Sequence, residues 1–133
     1  MIHKACPVVL HPDGAPLRHL LLHHPVAGIQ LVKGTVKPHE DPTRAAMREL
    51  FEESGLETIA ASLLGSSDTI HLQERWHFTL CRIKPPVRDR WRHLCPDDGG
   101  HLFHFSWHVL TDPHPEMDPR FLNALTWIQQ TLT

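Results

Sequence analysis

Two stretches of the chain alternate apolar and polar residues. Between residues 74 and 83, Trp76, Phe78 and Leu80 fall on one side; further on, Phe103, Phe105, Trp107 and Val109 do the same. A period of two puts such residues on one face of a strand, so both stretches are predicted strands. Val8-Val9-Leu10 and Leu20-Leu21-Leu22 are short apolar runs flanking His11-Pro12-Asp13-Gly14, a turn signal, and together they predict a hairpin. A short strand from Ile29 to Val32 leads into Lys33-Gly34, and Leu63-Leu64 belongs to a further strand. Helical spacing appears over residues 42–54 and again from Pro119 to Leu132, where Phe121, Leu122, Leu125, Ile128 and Leu132 recur. Asp41 is placed to cap the first helix, Pro42 suits its first position, and Gly55 suits a left-handed C-terminal cap. Residues 84–100 are polar and contain proline, which predicts a loop. The order strands, helix, strands, helix predicts an α+β fold with helices packed on a sheet.

Composition narrows the class. A chain of 133 residues fits one domain, residues 1–133, with a core that needs no disulfides. Hydrophobic residues at 41% and charged residues at 21% are those of an ordinary globular protein and exclude a disordered one. The run Leu20-Leu21-Leu22 is far too short to span a bilayer, and residues 1–7 lack the apolar stretch of a secretory signal, so no membrane partner is expected. Cys6, Cys81 and Cys95 are odd in number and form no CxxC pair, which predicts reduced thiols and a cytoplasmic location. A net charge of -2 excludes a general nucleic-acid binder. Thirteen histidines beside no tyrosine read as composition bias.

The helix at 42–54 carries the candidate chemistry. At 100° per residue, Met47, Leu50, Phe51 and Ser54 project to one side, and Glu49, Glu52 and Glu53 to the other. Ala45 and Ala46 lie near the carboxylates and leave little bulk around them. Like charges at i, i+3 and i+4 repel by a few tenths of a kcal/mol per pair, roughly. A divalent cation would turn that repulsion into attraction, and hard cations such as Mg²⁺ take carboxylate oxygens while bridging to phosphates. An acidic triplet alone is usually a solvated face. Its surroundings change the reading. Gly34 is followed after five residues by Glu40, after seven more by Arg48, and then by Glu49, Leu50, Phe51, Glu52, Glu53, Ser54, Gly55 and Leu56.

Residues 34–56 (GTVKPHEDPTRAAMRELFEESGL) thereby resemble, without a gap, the box of the Nudix hydrolases: Gly-x5-Glu-x7-Arg-Glu-U-x-Glu-Glu-x-Gly-U, with U a bulky aliphatic. The resemblance implies the family's α/β/α sandwich with a mixed central sheet. It also implies a metal-dependent pyrophosphohydrolase that cleaves a phosphoanhydride in a nucleoside diphosphate linked to another moiety, by water attack at phosphorus. Carried onto this chain, Glu49, Glu52 and Glu53 are the Mg²⁺ or Mn²⁺ ligands, with the Gly34 carbonyl as a further one. Arg48 and Glu40 orient the loop and the carboxylates. Glu49 or Glu53 can also accept the water's proton, and Glu74, Asp97 and Asp98 are the candidates outside the box for a base or extra ligand. Such metal chemistry suits a reaction that needs charge neutralisation on phosphate oxygens and an activated water.

Subfamily markers are mostly missing. Ile29-Gln30-Leu31-Val32-Lys33-Gly34 stands where MutT-type members carry Trp-x-Phe-Pro-Gly-Gly. The Lys33-Gly34 ending is similar to the dinucleoside polyphosphate and diphosphoinositol branches, which places a dinucleoside polyphosphate-like substrate slightly ahead. The chain lacks the motif of the NADH pyrophosphatases, has no proline between Leu56 and Lys84 for the ADP-ribose marker, and has no tyrosine for the dinucleoside polyphosphate marker.

Lys33, beside the box, and the cluster Arg88, Arg90, Trp91 and Arg92 are the substrate-binding candidates. Arginine forks suit phosphate oxygens and an indole can stack on a base; the competing reading has Trp91 pinned into the surface. On a helix His101, His104 and His108 would share a face and suggest zinc, but the alternating aromatics place them on a strand, with His101 opposite the other two. A His-rich metal-binding protein is therefore disfavoured, and a catalytically silent Nudix-like nucleotide sensor has no need of three clustered glutamates. The expected partner is a small nucleotide or other pyrophosphate, and the quaternary expectation extends no further than a homodimer.

Overall fold

The computed structural model describes residues 1–133, the side chain of Asp98 apart. Its elements are β1 (Ile2–Val8), β2 (Arg18–His24), β3 (Gly28–Gln30), β4 (Gly34–Thr35), α1 (Pro42–Ser54), β5 (Thr58–Ser67), β6 (Glu74–Ile83), β7 (Trp91–Cys95), β8 (His101–Val109) and α2 (Pro119–Leu132), with a 3₁₀ turn at Asp97–Gly99. The strands form two sheets of four. One is mixed, in the order β4-β1-β6-β5, with β1 and β6 parallel. The other, β3-β2-β8-β7, is antiparallel.

Alternation along the strands feeds two cores. Ala5 and Val9, Leu20 and Leu22, Cys81 and Ile83, and Phe103 and Phe105 face Ala45, Ala46 and Leu50 of α1. Cys6 and Val8, Leu21, Trp76 and Phe78 face Phe121, Ala124, Leu125 and Ile128 of α2. Helix, sheets and helix thus make three layers, as the sandwich reading expects. Burying these side chains contributes about 25 cal/mol per Å² of apolar surface and is the main force holding the layers together.

Three expectations about elements change. The predicted hairpin exists only at its closed end, where the His11 amide donates to Arg18 O at 2.8 Å and the Leu20 amide to Val9 O at 3.0 Å. Beyond it β1 and β2 part into different sheets, because Ala5 and Cys6 are buried on opposite faces by different helices. The stretch 84–100 contains strand β7. As an edge strand it alternates Trp91, His93 and Cys95 with the exposed Arg92 and Leu94, which a polar composition conceals. Asp41 precedes α1 without a side-chain capping bond; Pro42 and Gly55, at φ 78°, do delimit the helix. In α2 the Asp118 carboxylate accepts from the Arg120 amide at 2.9 Å and caps the helix that covers the second core.

Candidate active site

The two-sided projection of α1 is corrected by how the helix seats. Ala45, Ala46 and Leu50 are fully buried, whereas Phe51 is 54% exposed. Two adjacent alanines let the helix approach the sheets closely. In projection Glu53 falls beside Ala46, inside the buried arc rather than opposite it. The carboxylates therefore border the core: the Glu49 side chain is only 13% exposed, and Oε2 of Glu53 is buried without a hydrogen-bond partner.

Arg48 organises the solvent side of this cluster. Its Nε and Nη2 donate to the two oxygens of Glu40 at 2.8 and 3.0 Å, and Nη1 donates to Glu49 Oε1 at 2.8 Å and Glu52 Oε2 at 3.3 Å. Nη2 also donates to Thr35 O at 3.2 Å, which ties the helix to β4. Hydrogen bonds from Arg48, against a burial cost, hold the Glu40 carboxyl at about 2, and the Lys37 amide adds a further donor at 3.0 Å. Arg48 is itself held above its usual range, first by Glu40.

Gly34 sits against Glu49 so closely that a Cβ would overlap the carboxylate. Burial raises the Glu49 carboxyl above its ordinary range, against the pull of Arg48. Burial also raises Glu53 well above its range, and the Glu49 charge adds to that. Two carboxyls crowded in a poorly hydrated place each disfavour the other's ionisation. Lys33 faces them; burial pushes its ammonium below the usual range, then Lys4 and Arg120 add repulsion, while Glu74 and Glu53 oppose the shift.

Glu49, Glu53 and Lys33 line a cavity of about 280 Å³. Asp97 lines it too, so the structure brings one of the three outside candidates to the carboxylates. Glu74 does not line it; it is buried, with Oε1 accepting from the Trp76 indole at 2.9 Å. The Asp98 side chain lies outside the described residues. His24, His101 and Phe103 form the opposite wall, with ring centroids 4.9 Å apart for His24–His101 and 5.4 Å for His24–Phe103. Sequence reasoning missed this wall. The only signal was that His101 shares a strand face with Phe103, opposite His104 and His108. Nδ1 of His24 accepts from the amides of Val26 and Ala27, each at 3.0 Å, which leaves its Nε2 as the hydrogen-bearing atom.

Arg88, Arg90, Trp91 and Arg92 are brought together, but not into that cavity. They line a separate concavity with His104, which among the described residues shares none with the first. Trp91 stacks on Phe105 at 5.1 Å and 15°, and its indole donates to Ser54 O at 3.0 Å.

The residues present fit a divalent cation. Glu53 holds a buried oxygen with no partner, the Gly34 backbone approaches Glu49 in a place closed to any side chain, and the paired carboxyls resist ionisation until a positive charge joins them. Among the described residues no three carboxylate, thiol or imidazole side chains are already gathered as a ligand set. Glu49 and Glu52 are instead engaged by Arg48.

Several solved structures share this fold. An ADP-ribose pyrophosphatase from Streptococcus suis is 15% identical, with a TM-score of 0.69 over 98% of this chain and 90% of that one. A MutT structure from work on Aliivibrio salmonicida and Vibrio cholerae is 18% identical, with a TM-score of 0.62 over 95% and 98%. MutT from Burkholderia pseudomallei is 23% identical, with a TM-score of 0.62 over 94% and 95%. A search of curated proteins finds no matching relative. The family model for the NUDIX domain matches residues 2–128, nearly the whole chain, and with the box seated on α1 as described, the chain belongs to the Nudix family.

Proposed function

We propose that this protein is a Mg²⁺- or Mn²⁺-dependent pyrophosphohydrolase acting on a nucleoside diphosphate linked to another moiety, with a dinucleoside polyphosphate-like substrate favoured by Lys33-Gly34. One observation carries the reading: Glu53, whose Oε2 is buried without a hydrogen-bond partner, lines one cavity with Glu49 and Lys33. Glu49, Glu52 and Glu53, with the Gly34 carbonyl, would hold the cation. When bound, the cation supplies charge neutralisation on phosphate oxygens and lowers the pKa of an attacking water.

The remaining work belongs to the chain's own groups. Lys33 Nζ binds a phosphate oxygen of the scissile pyrophosphate. Arg48 and Glu40 fix the loop and hold Glu49 and Glu52 in place. Asp97 or Glu53 accepts the water's proton, since both line the cavity. His24, His101 and Phe103 receive the moiety beyond the scissile bond, with His24 Nε2–H as a donor. The buried, free cysteines suit a reducing cytoplasm. Among the described residues no helix is long and apolar enough to cross a membrane.

The test is a panel of dinucleoside polyphosphates, nucleotide sugars, ADP-ribose and nucleoside triphosphates, incubated with Mg²⁺ or Mn²⁺ and analysed for paired phosphorylated products. Cleavage that chelator abolishes and Glu53→Gln suppresses supports the reading. Absence of cleavage across the panel, with metal-dependent nucleotide binding retained, would instead make the protein a sensor.

A further inference from the structure

Arg92 belongs to the face of the β7–β8 pair that turns away from the catalytic cavity, and Arg88 and Arg90, just before β7, line the same concavity as Arg92. Arg92 is paired with His104 across the strands, and β7 alternates so that Trp91, His93 and Cys95 take the other face. Among the described residues the two cavities have no lining residue in common. The three guanidiniums therefore need an account that does not pass through the scissile phosphates.

All three are exposed, and among the described residues no carboxylate lies within 4.0 Å of any of them. Arg18, Arg48, Arg75 and Arg120 are ion-paired, whereas Arg44 and Arg82, like the cluster, have no ion-pair partner among the described residues; what sets Arg88, Arg90 and Arg92 apart is that they line one concavity. Asp89 lies between Arg88 and Arg90 in sequence without pairing with either. The positive field reaches the neighbouring strand. His23, hydrogen-bonded to Ser106 Oγ at 2.7 Å, is held below its usual range first by burial, then by His104 and Arg90.

The support under the cluster is rigid. Trp107 donates its indole N–H to Arg88 O at 2.9 Å, and Trp91 donates its own to Ser54 O at 3.0 Å. Trp91 on β7 stacks on Phe105, its register partner on β8, and this ties the two strands together. A charged edge strand guards against pairing with another sheet, a role open to Arg92 but not to Arg88 and Arg90, which lie outside β7. Three guanidiniums with no ion-pair partner among the described residues, around a concavity of about 410 Å³, suit an anion with several oxygens.

We infer that Arg88, Arg90 and Arg92, with His104, form a second anion site, separate from the catalytic cavity, that takes a chain of two or more linked phosphates of a small molecule. Strand β7 carries both Arg92 and Cys95, so one strand borders both sites.

The experiment titrates the full chain with tripolyphosphate in EDTA at near-physiological ionic strength, using calorimetry. Chelation disables cation-dependent binding at the carboxylates, so failure of this proposal and of the hydrolase reading are read separately. Arg90→Ala with Arg92→Ala should weaken binding about tenfold or more, as loss of two charge-assisted forks implies. Arg44→Ala with Arg82→Ala removes equal charge elsewhere and should leave Kd within about twofold. Replacing Arg90 and Arg92 by Lys keeps the charge but loses the fork, and should give an intermediate loss. Glu53→Gln should have no effect. The proposal is overturned if wild type does not bind, if both arginine pairs weaken binding equally, or if Glu53→Gln changes the affinity.

Discussion

Arg48 and Glu40 are joined by two parallel hydrogen bonds, Nε to Oε2 at 2.8 Å and Nη2 to Oε1 at 3.0 Å. The same guanidinium reaches Glu49 and Glu52, so Glu40, just before the helix, sets the carboxylates through an intermediary. Arg48→Lys keeps the charge and loses the fork. Activity should fall roughly 10–100-fold, the usual cost of losing a partner that orients metal ligands. The metal concentration for half-maximal activity should rise with it. A purely structural role for Arg48 would change melting temperature and leave that concentration alone.

Glu53→Gln addresses the buried oxygen directly. The variant should lower kcat by about 10²–10⁴-fold, the range for loss of an acid–base or electrostatic group. Without metal it should be at least as stable as wild type, because a carboxyl raised by burial costs stability when it ionises at neutral pH. Adding Mg²⁺ should raise the melting temperature of wild type and not of the variant. Thermal scans with and without metal measure both effects.

Gly34 is constrained by proximity. Its backbone is not in the left-handed region, but a Cβ would strike the Glu49 carboxylate. Gly34→Ala should cost most of the activity while circular dichroism stays native, since the displaced group is one side chain at the cavity. Normal kinetics in this variant would remove Gly34 from the site.

Trp91 is half-buried, stacked on Phe105 and bonded to Ser54 O, and it packs against the core under α1. Trp91→Ala should therefore destabilise the protein by about 2–3 kcal/mol, below the cost at a fully buried aromatic. Trp91→Phe keeps the stack and loses one hydrogen bond, worth about 1 kcal/mol. Denaturant unfolding measures these losses. KM should stay near wild type in both, and a raised KM with normal stability would instead make Trp91 a substrate contact.

His19 provides a pH signature. It is 2% exposed, bonded through Nε2 to His108 Nδ1 at 3.1 Å, and burial, with repulsion from His108, lowers its pKa to about 4. The unfolded chain takes up a proton near the ordinary value of about 6.5, which the folded chain refuses until about pH 4. Stability from this group is thus complete above pH 6.5 and is lost as pH falls toward 4, by ~3 kcal/mol over the window. Unfolding free energies across that range should fall more steeply for wild type than for His19→Gln. Equal slopes would show that His19 is already protonated in the fold.

What the sequence determined by itself was local. The spacing of Gly34, Glu40, Arg48, Glu49, Glu52 and Glu53 defined the box, and Pro42 and Gly55 bounded the helix that presents it, because backbone constraints at helix ends act within a few residues. Alternation marked β6 and β8 for the same reason: each strand reports its own two faces. A helical projection ranks residues around an axis but does not say how deeply the helix is seated. Only packing decided that Ala45 and Ala46 lie in the core, which draws Glu49 and Glu53 inward and leaves Phe51 outside. Partition between sheets was equally non-local, since β1 and β2 diverge according to which helix buries each face. The cavity wall of His24, His101 and Phe103, and the removal of Arg88, Arg90 and Arg92 to another surface, arise from pairing between segments far apart in the chain. Such pairing is selected by the total apolar area buried and the hydrogen bonds completed, quantities that no single segment contains.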